Sequence, residues 1–189
     1  MSAIEPVDLP RAYLLLNHGP TVLVTSAHGA ERNVMAAAWA MPLDFSPPKM
    51  LVVVDKNTHT RTLIEASGEF ALCIPSRAQA QATLQVGSHS GRDEDKFKAS
   101  GLATFAASKI GAPLVEGCLG WLECKVVPEP HNQQAYDLFI GEVVAAWAAP
   151  DVFSGNRWHF NDDARRSVHY VAGGSFFATG EAFSVADPE

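Results

Sequence analysis

Apolar and β-branched residues come in short runs broken by Gly, Pro and Asn, a pattern of strands and tight turns rather than long amphipathic helices. Thr21-Val22-Leu23-Val24-Thr25-Ser26 predicts a strand, His28-Gly29 the turn after it, and Asn33 to Ala40 the extended return limb of a hairpin. That limb is Ala-rich and helix-like by propensity. The turn before it and Pro42, Pro47 and Pro48 after it favour an extended strand instead. Met50-Leu51-Val52-Val53-Val54 is an unbroken apolar run and predicts a central strand buried on both faces. Capping side chains across Asp55 to Thr60, then Leu63, Ile64 and Gly68, predict a short helix from about Thr60 to Ser67. Glu69 to Ile74 alternates with period two and stops at Pro75, giving a further strand.

Arg77 to Val86 has helical spacing, Ser88 to Asp95 is a polar loop around Gly91, and Lys96-Phe97-Lys98 belongs to a short helix before Gly101. Leu119 to Val127 and Leu138 to Trp147 are strand-like and joined by a loop from Pro128 to Gln134. His169-Tyr170-Val171, Gly173-Gly174 and Ser175-Phe176-Phe177 predict a terminal strand pair or a tail that folds back. The regular strand–helix alternation of a doubly wound parallel sheet is missing. The expected class is mainly β with helices, a small antiparallel barrel. Residues 1–189 read as a single domain, with the C-terminal segment from about 150 to 189 as an appended tail.

Charge narrows the choice of ligand. Fourteen Lys and Arg stand against twenty-one Asp and Glu, a net charge of −7, so no nucleic acid and no anionic membrane surface is expected as a partner. An anionic ligand would have to be held locally. Cys73, Cys118 and Cys124 form neither a paired set nor a Cys-x-x-Cys, which points to the reducing cytoplasm. Met1 to Pro10 carries no basic-then-apolar leader, and no apolar run approaches a bilayer-spanning length.

Three segments carry chemistry. Asp55-Lys56-Asn57-Thr58-His59-Thr60-Arg61 places two hydroxyls and two cations at a helix start, the set a phosphate needs; ordinary helix capping explains it about as well. Ser88 to Phe97 again combines hydroxyls, Gly91, Arg92 and Lys96 ahead of a helix; by itself it also reads as a solvated loop. Asn33-Val34-Met35-Ala36-Ala37-Ala38-Trp39 offers an extended backbone with small side chains, either a slot for a flat aromatic ligand or a place of tight packing. The seven histidines lack His-Glu-x-x-His spacing, so no metal site is expected. Gly-x-Ser-x-Gly, Gly-x-Gly-x-x-Gly and P-loop signatures are also missing, which removes positive support for a hydrolase elbow, a Rossmann dinucleotide or a P-loop nucleotide.

At these segments, and in their order with His18 to Thr25, Phe45-Ser46-Pro47-Pro48, Gly68-Glu69-Phe70 and Ile140-Gly141-Glu142-Val143, the chain resembles the flavin reductase-like family of FMN-binding split β-barrels, which includes flavoredoxin and archaeal ferric reductase. The resemblance implies a split antiparallel barrel, a homodimer, and FMN near the subunit interface. Asn33, Met35, Ala36, Ala37, Ala38 and Trp39 would line the isoalloxazine. Lys56, Asn57, Thr58, His59 and Thr60 would hold phosphate and ribityl oxygens, and Ser90, Gly91 and Lys96 would close the phosphate end. The implied activity is NAD(P)H-dependent flavin reduction with electrons passed to a further acceptor, and no catalytic acid or base is required. A non-catalytic FMN electron carrier is the alternative. Gly141-Glu142-Val143 stands where reductases serving two-component monooxygenases carry Gly-Asp-His. Phe176 and Phe177 read either as a cover for the ring or as plain packing.

Overall fold

The computed structural model describes residues 4–15 and 19–185; Met1 to Ala3 and His18, used above, lie outside them. Strand β1 (Glu5–Pro6) precedes a 3-10 segment, Leu9–Leu15, and then the hairpin β2 (Val22–His28) and β3 (Glu31–Ala37) turns at Gly29, whose φ is +60°. Strands β4 (Ala40–Phe45) and β5 (Pro48–Val53) form the next hairpin. Helix α1 (His59–Ser67) runs from its cap Thr58, whose side chain accepts from Arg61 N, to Gly68 at φ +71°. Strand β6 (Glu69–Ile74) and helices α2 (Ala80–Ser88) and α3 (Lys96–Ser100) follow. After the small pair β7 (Thr104–Phe105) and β8 (Leu114–Val115) come β9 (Gly120–Val127), helix α4 (Pro130–Tyr136) and β10 (Leu138–Ala148). Two short hairpins close the described chain, β11 (Phe153–Ser154) with β12 (Arg157–Trp158) and β13 (Val168–Ala172) with β14 (Ser175–Ala178).

The main sheet is antiparallel throughout, in the order β3-β2-β6-β9-β10-β5-β4, with β1 on the far half of β10. Its two end strands, β3 and β4, are joined by only Ala38 and Trp39, a link that spans at most roughly 11 Å. The sheet must therefore curl until its ends approach without pairing: a split barrel. Ala12 and Leu15 of the 3-10 segment are fully buried in the core, packed against β4, β5 and β10.

Burial separates two layers. Val22, Val24, Met50, Val52, Phe70, Leu72, Leu122, Cys124 and Phe139 fill the barrel, while Leu23, Ala71, Cys73 and Trp121 face an outer layer with Val86, Phe97, Leu114 and Cys118. β6 thus uses both of its faces. Phe70, Leu72 and Ile74 point inward and the smaller Ala71 and Cys73 lie under the outer layer, so its period-two alternation is large against small rather than apolar against polar. The expectation of two buried faces for Met50 to Val54 is corrected. Met50 and Val52 are buried but Leu51 and Val53 are only half-buried, because α1, α2 and α3 gather on β2, β3 and β6, leaving β5 next to the edge strand. The expected loop from Pro128 to Gln134 is corrected as well: Pro130 occupies the first turn of α4, where its missing N–H costs no hydrogen bond, and Asp137 ends that helix in the left-handed region at φ 57°.

The three cysteines are unpaired and buried. Loss of hydration pushes the Cys73 thiol up to about 12 and raises Cys118 and Cys124 well above the usual thiol range. Among the described residues no helix is long and apolar enough to cross a membrane.

Candidate functional site

The edge strand β3 organises the site. Its turn has two residues, so His28 and Glu31 form the hydrogen-bonded closing pair and Asn33, Met35 and Ala37 direct their backbone groups at β2. The N–H and C=O groups of Arg32, Val34 and Ala36 consequently face away from the sheet. Helix α1 lies along one side of this free edge and α2 with the loop after it along the other. The approach of α2 is close because residue 87 is Gly: a Cβ there would stand 3.2 Å from Ala36 Cβ.

Between these walls is a cavity of about 230 Å³ lined by Asn33, Met35, Ala36, Asn57, Thr58, His59, Thr60, Ser90, Gly91 and Lys96, all nominated from the sequence. Val86, Gly87, Ser88 and His89 complete it. Asn33 Nδ2 donates to Thr60 Oγ1 at 2.9 Å, joining the edge strand to the first turn of α1. Gly91 packs onto the same side chain so tightly that a Cβ would fall 2.1 Å from Asn33 Oδ1. Thr58 takes the Arg61 N–H, which leaves the N–H groups of His59 and Thr60 at the helix mouth.

Lys96 supplies the positive charge. It is 5% exposed, and its Nζ donates to Val86 O at 2.6 Å and His89 O at 3.0 Å, so one of three ammonium protons is left for a ligand. Burial pulls its pKa down to about 8, partly offset by Glu94. An anion in the cavity would favour the charged form again.

Two sequence expectations change here. The helix start at Lys96 is not free for an anion, because Asp95 already accepts from Phe97 N and Lys98 N; that loop contributes Ser90, Gly91 and the Lys96 ammonium instead. Arg61 also turns away from the anion site. Its guanidinium is buried, donating to Glu65 Oε1 at 2.7 Å, Asp137 Oδ1 at 2.5 Å and Gln133 O at 2.7 Å, over the Phe139 ring. Those carboxylates hold its pKa above the ordinary value against the opposing effect of burial.

A second cavity of about 210 Å³ shares Ala36, Gly87 and Ser88 with the first and is otherwise lined by Thr21, Ala38, Thr83, Leu84, Tyr170 and Phe176. Phe176 packs edge-on to Tyr170, ring centres 5.3 Å apart, while Phe177 is exposed. The remaining nominees lie elsewhere: Ala37 points into the barrel, and Lys56 and Trp39 are exposed and border neither cavity. Thr83, Gly87 and Tyr170 were missed, whereas Phe176, read from the sequence either as a cover for the ring or as packing, lines this cavity. Gly87 inside a helical stretch was the available signal, since an interior helix Gly usually marks a close approach.

Fold and site together are those of a split antiparallel barrel with a cation-bearing cavity along its free strand edge. The chain belongs to the flavin reductase-like domain family, whose model matches residues 15–168. It is similar to the crystal structure of an FMN-binding domain of a flavin reductases-like enzyme from Shewanella baltica, at 49% identity over 98% of both chains and a TM-score of 0.95. It is 47% identical over 184 residues to YddH of Escherichia coli, covering 96% of this chain and 97% of that one. The flavoredoxin of Desulfovibrio vulgaris is 28% identical, with a TM-score of 0.77 over 89% of this chain and 90% of that one.

Proposed function

We propose that the protein is an FMN-binding oxidoreductase that takes hydride from a reduced nicotinamide and delivers electrons to a further acceptor. One observation carries this reading: the buried Lys96 ammonium lines a cavity that shares Ala36, Gly87 and Ser88 with a neighbouring one of small side chains walled by Tyr170 and Phe176. The residues fit the cofactor. Lys96 Nζ, the first-turn N–H groups of α1 and the hydroxyl of Ser90 suit a phosphate, while the Thr58 hydroxyl, which donates to Asp55 O at 2.8 Å and accepts from Arg61 N, holds the helix start in place. Ala36 and Ala38 allow a flat ring to reach the free backbone groups of β3, whose N–H donors favour negative charge on a ring carbonyl. Lys56 adds an exposed cation near the phosphate end.

When bound, FMN supplies the two-electron chemistry itself, accepting hydride and releasing electrons. The protein's own groups bind, orient and shield, and no side chain is assigned as acid or base. Tyr170 and Phe176 would flank the ring.

The protein acts as a homodimer in this reading. Trp39, Met41, Leu43 and Phe45 are all exposed along β4 and its lead-in, beside half-buried Leu51 and Val53, an apolar face that a second copy would cover. Three unpaired cysteines fit a reducing cytoplasm.

The test is a visible spectrum after incubation with FMN and removal of free ligand, followed by anaerobic NADH and then NADPH. Retained flavin that bleaches supports the reductase. Retained flavin that bleaches with neither favours an FMN electron carrier reduced by another protein. That second reading draws on Gly141-Glu142-Val143: Gly141 is wedged against Phe70 and Cys124, where a Cβ would fall 2.5 Å from Phe70 Cζ, and the segment borders neither cavity.

A further inference from the structure

Arg92 lies on the loop between α2 and α3, and its guanidinium crosses to the opposite wall of the Lys96 cavity. Nη1 donates to Asn57 O at 2.5 Å and Nη2 to Thr62 Oγ1 at 3.4 Å, while the Arg92 main-chain N–H donates to Ser90 Oγ at 3.2 Å. Asn57, at the start of α1, and Ser90, on the loop, both line that cavity. Deeper in, the same two walls meet at Asn33, which bonds Thr60 on the α1 side and packs under Gly91 on the loop side. Arg92 itself is exposed and borders an open cleft of about 640 Å³, which shares His59 and Gly91 with the cavity. Glu31, Asp93, Glu94 and Asp95 line the same cleft. Among the described residues the guanidinium pairs with none of these carboxylates and takes a main-chain carbonyl and a hydroxyl across the gap instead.

We infer that Arg92 is a positioning residue of the flavin site: it ties the loop carrying Ser90 and Gly91 to the start of α1, and so holds the phosphate end closed and slows release of a bound phosphate ester. A planar guanidinium presents two nitrogens to two acceptors at once, which an ammonium does not. A phosphate leaving toward the cleft passes between His59 and Gly91, the span that Arg92 clamps. This inference rests on the flavin reading and deepens it.

The experiment compares full-length wild type with Arg92→Ala and with Arg92→Lys, which keeps the charge without the fork. Amide hydrogen exchange is followed by NMR in ligand-free protein, and stopped-flow release is measured for FMN and for riboflavin, which lacks the phosphate. Local opening should appear at Asn57 and Thr58, whose N–H groups bond to Asp55, and at Arg92 and Asp93, whose N–H groups bond to Ser90. Both variants are expected to exchange faster at these four amides with β6 and β9 unchanged. Both should release FMN about fivefold faster and riboflavin within about twofold of wild type. Exchange without ligand separates a tie between the walls from a direct ion pair with the phosphate, which would leave it untouched. Unchanged exchange, unchanged FMN release, equal acceleration of riboflavin, or full rescue by Arg92→Lys overturns the inference and leaves the flavin reading standing. Wild-type protein that binds neither FMN nor riboflavin overturns the flavin reading itself, and the role at the phosphate with it.

Discussion

Asn33 Nδ2 and Thr60 Oγ1 meet at 2.9 Å inside the cavity, so one buried hydrogen bond locks the edge strand to the start of α1. Gly91 is what lets this pair form. Gly91→Ala would push the Asn33 amide aside and leave buried polar groups unpaired. The variant should lose about 1–3 kcal/mol of stability and bind FMN at least about tenfold more weakly. Urea unfolding and an FMN titration measure the two effects, and an unchanged affinity would contradict the shared position of the loop and the site.

Lys96 predicts a pH dependence. Its folded pKa of about 8 lies below the ordinary 10.5, so between those values the unfolded chain holds a proton that the ligand-free folded protein has released. Stability of the ligand-free protein therefore rises with pH across that window. FMN affinity moves the other way, weakening by up to about tenfold per unit above pH 8 as the ammonium is lost. Lys96→Gln should flatten the affinity profile. Lys56→Ala, at an exposed and solvent-screened position, should change affinity by no more than about threefold.

Arg61 is the test of a structural rather than a ligand role. Removing it strands the partly buried Asp137 carboxylate and the carbonyls of Val54 and Gln133. Arg61→Ala should cost about 3 kcal/mol in denaturant unfolding. At a temperature where the variant is still folded, FMN affinity should stay within about threefold of wild type. A selective loss of FMN with stability intact would return Arg61 to the phosphate site.

The exposed face of β4 predicts the oligomeric state. Wild-type protein should sediment at twice the chain mass, and Met41→Glu, which places a charge beside Leu51 in the paired register, should sediment as a monomer. A dimer untouched by this change would move the interface elsewhere on the surface.

Local chemistry made much of this fold legible. Thr58 and Gly68 announced α1 because caps act within one turn, and His28-Gly29 announced the first hairpin because a two-residue turn leaves few alternatives. Asn33, Thr60 and Gly91 could be nominated but not joined, since their contact is made by packing across β3, α1 and the loop. The fate of Arg61 was hidden for the same reason: its partner Asp137 lies at the end of α4, distant in sequence. Ala12 and Leu15 of the 3-10 segment enter the barrel core through tertiary burial that short-range sequence pattern does not reveal.

The cysteines turn the two-layer core into a built-in reporter. Cys124 sits within the barrel, Cys73 and Cys118 beneath the outer layer, and all three thiols are shut from solvent and held protonated. Alkylating reagents can reach them only through opening of the layer that covers each, so pulse-labelling read by mass spectrometry times the breathing of the outer helices separately from that of the barrel. Ligand-induced slowing at Cys73 and Cys118 alone would show the cofactor tightening the outer layer while the barrel interior stays indifferent.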